Sequence, residues 1–202
     1  MRTKALLACA ALAVGLATSA VAQSNVYSVN IVGYVNTTLS SASGGFSLIA
    51  NPLDNGTNDL QSLFPNATLG DTIYTWGGTT FSSSVNFGTW NPDTVIPPGV
   101  GFFYQAGATT TNTFVGNVMT GNLSHPIPTG FSLVASQAPV SDTLENLQFP
   151  ATLGDTVYYY RGGQYVSSTF FGTWQPDLSP AVGEGFWVNA STAENWTRTF
   201  NP

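Results

Sequence analysis

Gly45-Phe46-Ser47-Leu48-Ile49-Ala50 and Gly130-Phe131-Ser132-Leu133-Val134-Ala135 are one hexapeptide written twice in the same chain, with only Ile49 exchanged for Val134. Outward from this stretch the two copies stay aligned. Thr68-Leu69-Gly70-Asp71-Thr72-Ile73-Tyr74 returns as Thr152-Leu153-Gly154-Asp155-Thr156-Val157-Tyr158. Phe87-Gly88-Thr89-Trp90 returns as Phe171-Gly172-Thr173-Trp174, and Gly99-Val100-Gly101-Phe102-Phe103 as Gly183-Glu184-Gly185-Phe186-Trp187. The first block repeats at a spacing of 85 and the others at 84, so a single-residue gap separates four collinear matches. Matching blocks at a fixed period mean two copies of one structural unit. Residues 45–107 and 130–190 should therefore share one topology.

Each copy reads as short strands punctuated by turns. Phe46 to Ala50 is an apolar run after a glycine, and Phe102 to Gln105 is an aromatic run entered through Pro97-Pro98-Gly99. Thr72 to Trp76 and Thr79 to Val85 flank Gly77-Gly78, and Thr156 to Tyr160 and Gln164 to Thr169 flank Gly162-Gly163. Gly-Gly between β-rich segments predicts a two-residue hairpin turn with positive φ at both central positions. One short helix is expected per copy, over Asn58–Phe64 and Asp142–Leu147, where a capping residue precedes leucines at i and i+3 and a proline follows. The expected fold is all-β, with two tandem β-sandwich-like repeats of about 85 residues and one short helix in each. The expected divisions are a signal peptide over 1–22, a first repeat with an N-terminal strand over 23–123, a linker over 124–129, and a second repeat over 130–202.

The run Gly45 to Pro52, the Tyr/Trp hairpin and Pro98-Gly99-Val100-Gly101-Phe102-Phe103 together resemble a module of exported bacterial proteins that carry tandem β-repeats. The opening Val26 to Val35 is similar to the starts of uncharacterised verrucomicrobial secreted proteins. The resemblance covers nearly all of the chain after residue 22. It implies a surface or secreted β-module and brings no catalytic residues with it. The second copy departs from the pattern where Ser136-Gln137 replaces Asn51-Pro52 and Val182 replaces Pro98.

The N-terminus points to export. Arg2 and Lys4 precede an apolar stretch from Ala5 to Ala17, and Ala20-Val21-Ala22 provides a small-residue cleavage site, placing the mature start at Gln23. Leu6-Leu7-Ala8-Cys9 is similar to a lipoprotein cleavage box. Only four residues separate Lys4 from Cys9, however, and the apolar run continues beyond it. After cleavage the chain has no cysteine, which excludes disulfides, thiolate metal sites and a cysteine nucleophile. It also keeps only two arginines and no lysine against ten carboxylates, a side-chain balance of −8. Nucleic-acid binding and attraction to anionic membranes both require clustered cations. Neither partner is expected, nor is membrane insertion, because no later stretch approaches about 20 apolar residues. Charged residues are 7% of the chain and aromatics 13%. That balance fits a packed core under a surface of Ser, Thr, Asn and Gln.

Enzymatic readings fail on inventory, and no cofactor or metal is expected. His125 is the only histidine, and Ser124-His125-Pro126-Ile127-Pro128 reads as an exposed connection between copies rather than part of a Ser-His-Asp triad. A zinc site would need several such ligands. Asp71 and Asp155 form a repeat-equivalent carboxylate pair, as glycoside hydrolysis would use. Each precedes a strand within Leu-Gly-Asp-Thr, where a carboxylate caps its own turn. Asp93 and Asp177 take the same turn reading. Asp54-Asn55-Gly56-Thr57-Asn58-Asp59 gathers oxygen donors around a glycine, as calcium loops do, but lacks EF-hand spacing.

Two functional expectations remain. The first is a secreted or cell-surface, non-catalytic structural or adhesive protein. Its opening strand, expected to pair in a sheet either way, either closes the sheet edge within its own chain or completes the C-terminal repeat of a neighbour, so that the protein self-assembles by strand exchange. The second is a carbohydrate-binding module. Trp76, Tyr158 and Tyr160 would bind an extracellular polysaccharide, because the latter two share a strand face by i, i+2 alternation. Trp90 and Trp174, being repeat-equivalent, are assigned to the core.

Overall fold

Alternation along each strand divides the side chains between two faces, and this division organises the whole molecule. The computed structural model describes residues 31–202. The expected signal peptide and Cys9 lie outside the described residues. The first repeat comprises β1 (Val32–Leu39), β2 (Phe46–Ala50), β3 (Thr72–Trp76), β4 (Phe81–Asn86), β5 (Trp90–Asn91), β6 (Gly101–Gln105) and β7 (Thr110–Asn117). The second comprises β8 (Gly121–Ile127), β9 (Gly130–Val134), β10 (Thr156–Arg161), β11 (Gln164–Phe170), β12 (Trp174–Gln175), β13 (Phe186–Ala190) and β14 (Glu194–Phe200).

The two repeats have the same antiparallel topology. The first forms a five-stranded sheet in the order β2-β6-β3-β4-β5, and the second the matching β9-β13-β10-β11-β12. Each sheet is covered on one face by a two-stranded ribbon, β1 with β7 and β8 with β14. Between sheet and ribbon sits a core built around one phenylalanine. Phe64 has ring contacts with Trp90, Phe102, Tyr104 and Phe114 at 5.0–6.2 Å. Phe149 contacts Trp174, Phe186 and Trp196 at 4.8–5.9 Å. Trp90 and Trp174 are thus core residues, as the repeat equivalence implies.

Four expectations change. Of the stretch expected to be a linker, 124–129, residues 124–127 belong to β8, whose partner is β14 in the register Trp196↔His125, and only 128–129 connect to β9. The second repeat therefore begins with its own ribbon strand at Gly121, as the first begins with β1. The C-terminal repeat consequently has no missing strand for a neighbour to supply. β1 is likewise paired with β7 over Val32↔Asn117 to Leu39↔Thr110. Only one of the two expected helices is regular. Residues Leu60–Leu63 form α1, capped by Asp59, whose carboxylate accepts Ser62 N–H. In the second copy Gln148 is inserted before Phe149 at φ 57°, and the segment becomes a series of turns. The first hairpin also turns one residue later than expected, because Gly77 N–H donates to Thr80 and leaves Gly78-Thr79 at the tip.

The repeats join along a pseudo-two-fold seam. Ala50 N–H donates to Gly183 C=O at 2.9 Å, and Ala135 N–H donates to Gly99 C=O at 2.9 Å. The hexapeptide of each copy thus pairs with the Gly-x-Gly segment of the other. Glycine is required here by distance: a Cβ on Gly185 would stand 2.7 Å from the Ile49 carbonyl oxygen, and one on Gly101 would stand 3.0 Å from that of Val134. The ribbons complete the seam, with Thr37 against Gly183 and its counterpart His125 against Gly99. His125 is therefore a half-buried seam residue and not an exposed connector. Burial holds its pKa below the ordinary 6.5.

Two outcomes follow from the seam. Gly185→Ala should cost on the order of 2 kcal/mol or more in chemical denaturation, as overpacking against backbone does. Gly154→Ala, at a glycine with positive φ but open space around it, should cost only about 1–2 kcal/mol of left-handed strain. The histidine sets a pH dependence. Its folded pKa is depressed, so the unfolded chain binds the proton first and stability is lost as pH falls through 6.5. Thermal melts between pH 8 and pH 5 should show Tm falling for the natural protein, and His125→Gln should flatten that slope.

Candidate functional site

The carboxylates considered for catalysis serve the backbone. Asp71 accepts Thr68 N–H at 2.8 Å, Gly107 N–H at 2.9 Å and the Tyr104 hydroxyl at 2.6 Å. Asp155 accepts Thr152 N–H and Ser191 N–H, each at 2.8 Å. Both are buried and both bind the turn before β3 or β10 to the end of the neighbouring strand. Burial, reinforced by the hydrogen bond to Asp71, holds the Tyr104 phenol far above its ordinary pKa. Asp93 accepts Gln61 N–H at 3.0 Å, which fixes α1 to the loop after β5. Asp177 is exposed.

The oxygen donors of the 54–59 loop are turned on the loop itself. Asp54 accepts Gly56 N–H at 2.9 Å and the Asn58 amide at 2.7 Å, and Asn55 accepts Asn58 N–H at 2.6 Å. Asn51, fully buried, donates to Asn58 at 2.8 Å and to Ile96 C=O at 3.2 Å. This network holds Asn58 at its φ of 52°. Among the described residues no three His, Cys, Asp or Glu side chains gather as metal ligands.

The feature with the reach of a ligand site is the face of each sheet turned away from its core. Ile73 and Val157 point inward, so Tyr74 and Trp76 on β3, and Tyr158 and Tyr160 on β10, point outward. Phe103 and Trp187 do the same beside the inward Phe102 and Phe186. The seam brings these two outer faces together. Trp76 meets Trp187 at 5.3 Å and its counterpart Tyr160 meets Phe103 at 5.7 Å, both edge-on. Trp76 also donates its indole N–H across the seam to Phe131 C=O at 2.9 Å. Leu48, Phe103 and Leu133 are buried at the centre.

Around that centre the rings leave two open hollows of about 480 Å³ each. Phe46, Tyr74, Phe103 and Tyr160 line one, and Trp76, Phe131 and Tyr158 the other. Phe81, Tyr165 and Trp187 are shared. The three residues chosen from sequence thus lie on one surface, each half-buried. Phe81 and Tyr165 are 45% and 55% exposed, enough to offer ring faces to a ligand. No charged side chain lines either hollow. Small polar groups border them: Ser83 lies opposite Tyr74, Ser167 lies opposite Tyr158, and Gln105 accepts the Tyr74 hydroxyl at 3.0 Å.

Sequence reasoning missed Phe46, Tyr74, Phe81, Phe103, Phe131 and Tyr165. Their signal was present as parity: each stands an odd number of residues from a core residue on its own strand or opposite an outward ring on the next. Chemically, this surface offers flat apolar rings for stacking and neutral hydrogen-bonding groups at the margin. No family model matches this chain, and comparison with curated proteins and with solved structures likewise gives no match.

Proposed function

We propose that the protein works outside the cell as a non-catalytic structural or adhesive component, and that its aromatic face holds a neutral polysaccharide. The observation that carries this reading is the open, uncharged ring surface on which Trp76, Tyr158 and Tyr160 converge with Phe81, Tyr165 and Trp187. A sugar ring has an apolar C–H face that packs on an aromatic ring, and hydroxyls at its edge that need neutral donors and acceptors. The face supplies rings at its middle and Ser83, Ser167 and Gln105 at its border. An isolated apolar patch of this kind exposed to water also calls for an occupant. The signal-peptide pattern and the resemblance to exported β-repeat proteins support the extracellular setting.

Self-assembly by strand exchange is less well supported than it is from sequence, since β1 and β8 close both repeats within the chain. Adhesion through the aromatic face needs no open edge.

A glycan array probed with the mature protein should give binding to neutral polysaccharides and little to sulfated or uronic-acid polymers. Tyr158→Ala and Tyr165→Ala should each weaken that binding about tenfold, the equivalent of about 1.4 kcal/mol. Thermal melts should show both variants folded. Binding that survives both substitutions would remove the aromatic face from the site.

A further inference from the structure

The pseudo-two-fold symmetry breaks at one place beside the aromatic face. There a crevice of about 360 Å³ opens between β1, β2 and the 181–184 turn. That volume sits at the lower end of small-ligand clefts, roughly 300–1,000 Å³. The matching place across the seam carries bulkier rings. His125 stands where the crevice has Thr37, Pro128 where it has Ser40, and Pro97 and Pro98 where it has Ala181 and Val182. The connection from β1 to β2 is also longer, running from Ser40 to Gly45, whereas Pro128-Thr129 joins β8 to β9.

The crevice is furnished as well as open. Glu184 at its edge is held by Arg161 through two hydrogen bonds of 2.6 and 2.7 Å, and it also accepts Ala181 N–H at 2.8 Å. The counterparts of this ion pair are Gly77 and Val100, so it belongs to this side alone. With the carboxylate paired, the crevice presents no net charge. Thr37 Oγ1 is buried in it and has no hydrogen-bond partner among the described residues. Tyr160 lines both the crevice and the neighbouring aromatic hollow, making the two continuous.

We infer that this crevice is a second, polar subsite, which takes one neutral hydroxylated ring of a carbohydrate chain whose neighbouring ring stacks on the aromatic face at Tyr160. The inference rests on the carbohydrate reading of that face. Thr37 Oγ1 supplies the buried hydrogen bond, Ser40 and Ser47 lie alongside it, and the Glu184 carboxylate, fixed by Arg161, offers a further acceptor. Because only one side of the seam has the subsite, a bound chain is held in a single orientation despite the repeat symmetry.

The test uses the mature protein and neutral gluco-, manno- and xylo-oligosaccharides of two to six units, followed by titration calorimetry. Thr37→His writes the second repeat's residue into the first and fills the crevice. It should weaken binding at least tenfold with an unchanged melting profile, and Thr37→Val, which removes only the hydroxyl, should weaken it severalfold. If Thr37→His binds as the natural protein does, the crevice is not a subsite and the aromatic-face reading stands. If the natural protein binds none of the oligosaccharides, both readings fall. Should Thr37→His fail to fold, Thr37→Val decides, and unchanged affinity in that variant overturns the subsite.

Discussion

Everything in this molecule depends on how closely two sheet edges approach at the seam. The backbone of Leu48 to Ala50 lies against Gly183 to Gly185, and that of Val134 and Ala135 against Gly99 to Gly101. Unpaired strand edges expose rows of N–H and C=O groups, and such edges are liabilities unless something covers them. Here each repeat covers the other's edge. The contact leaves no room for Cβ atoms at Gly101 or Gly185, which accounts for the second glycine of each Gly-x-Gly, while the first, Gly99 or Gly183, sits at a φ of 100° or 76°. The hexapeptide and the Gly-x-Gly are the two halves of one interface, repeated because the interface is reciprocal.

That contact fixes what the outer faces can be. Joining the edges folds the two non-core faces toward each other, so aromatic side chains that would lie on separate surfaces become a single ring-lined one. Edge-on contacts such as Trp76 with Trp187 use the favourable quadrupole geometry of aromatic pairs and hold the rings in place. Leu48, Phe103 and Leu133 bury the centre, and the periphery stays open. The same rings thus serve as glue between repeats and as the candidate ligand surface. Asp71 and Asp155 make this arrangement rigid from below by tying each hairpin's entry turn to the end of β6 or β13.

The copies diverge mainly where their roles differ. Asn112 and Trp196, at equivalent places, donate to the carbonyls of the equivalent leucines Leu63 and Leu147, so the position keeps its hydrogen bond while changing its bulk. By contrast, Thr37 against His125 and Glu184 against Val100 change both size and chemistry, and they do so around the crevice. A duplicated unit with two-fold symmetry offers a ligand two equal faces. These substitutions make the faces unequal.

The sequence by itself determined the duplication, the β-rich class, the core placement of Trp90 and Trp174, and the turn-capping role of Asp71 and Asp155. These are local matters: periodicity, turn chemistry and the match between copies are all written along the chain. It also placed Tyr158 and Tyr160 on one strand face, because alternation assigns a face without knowing the neighbours. Only the tertiary structure decided that β8 is a strand and not a linker, since Ser124 to Ile127 becomes a strand through pairing with β14, more than 60 residues away. The same holds for Phe46, Phe103 and Trp187, which become one surface only when two distant edges meet. Strand pairing and edge contact are long-range backbone interactions, and the residues that make them carry no local mark of their partner.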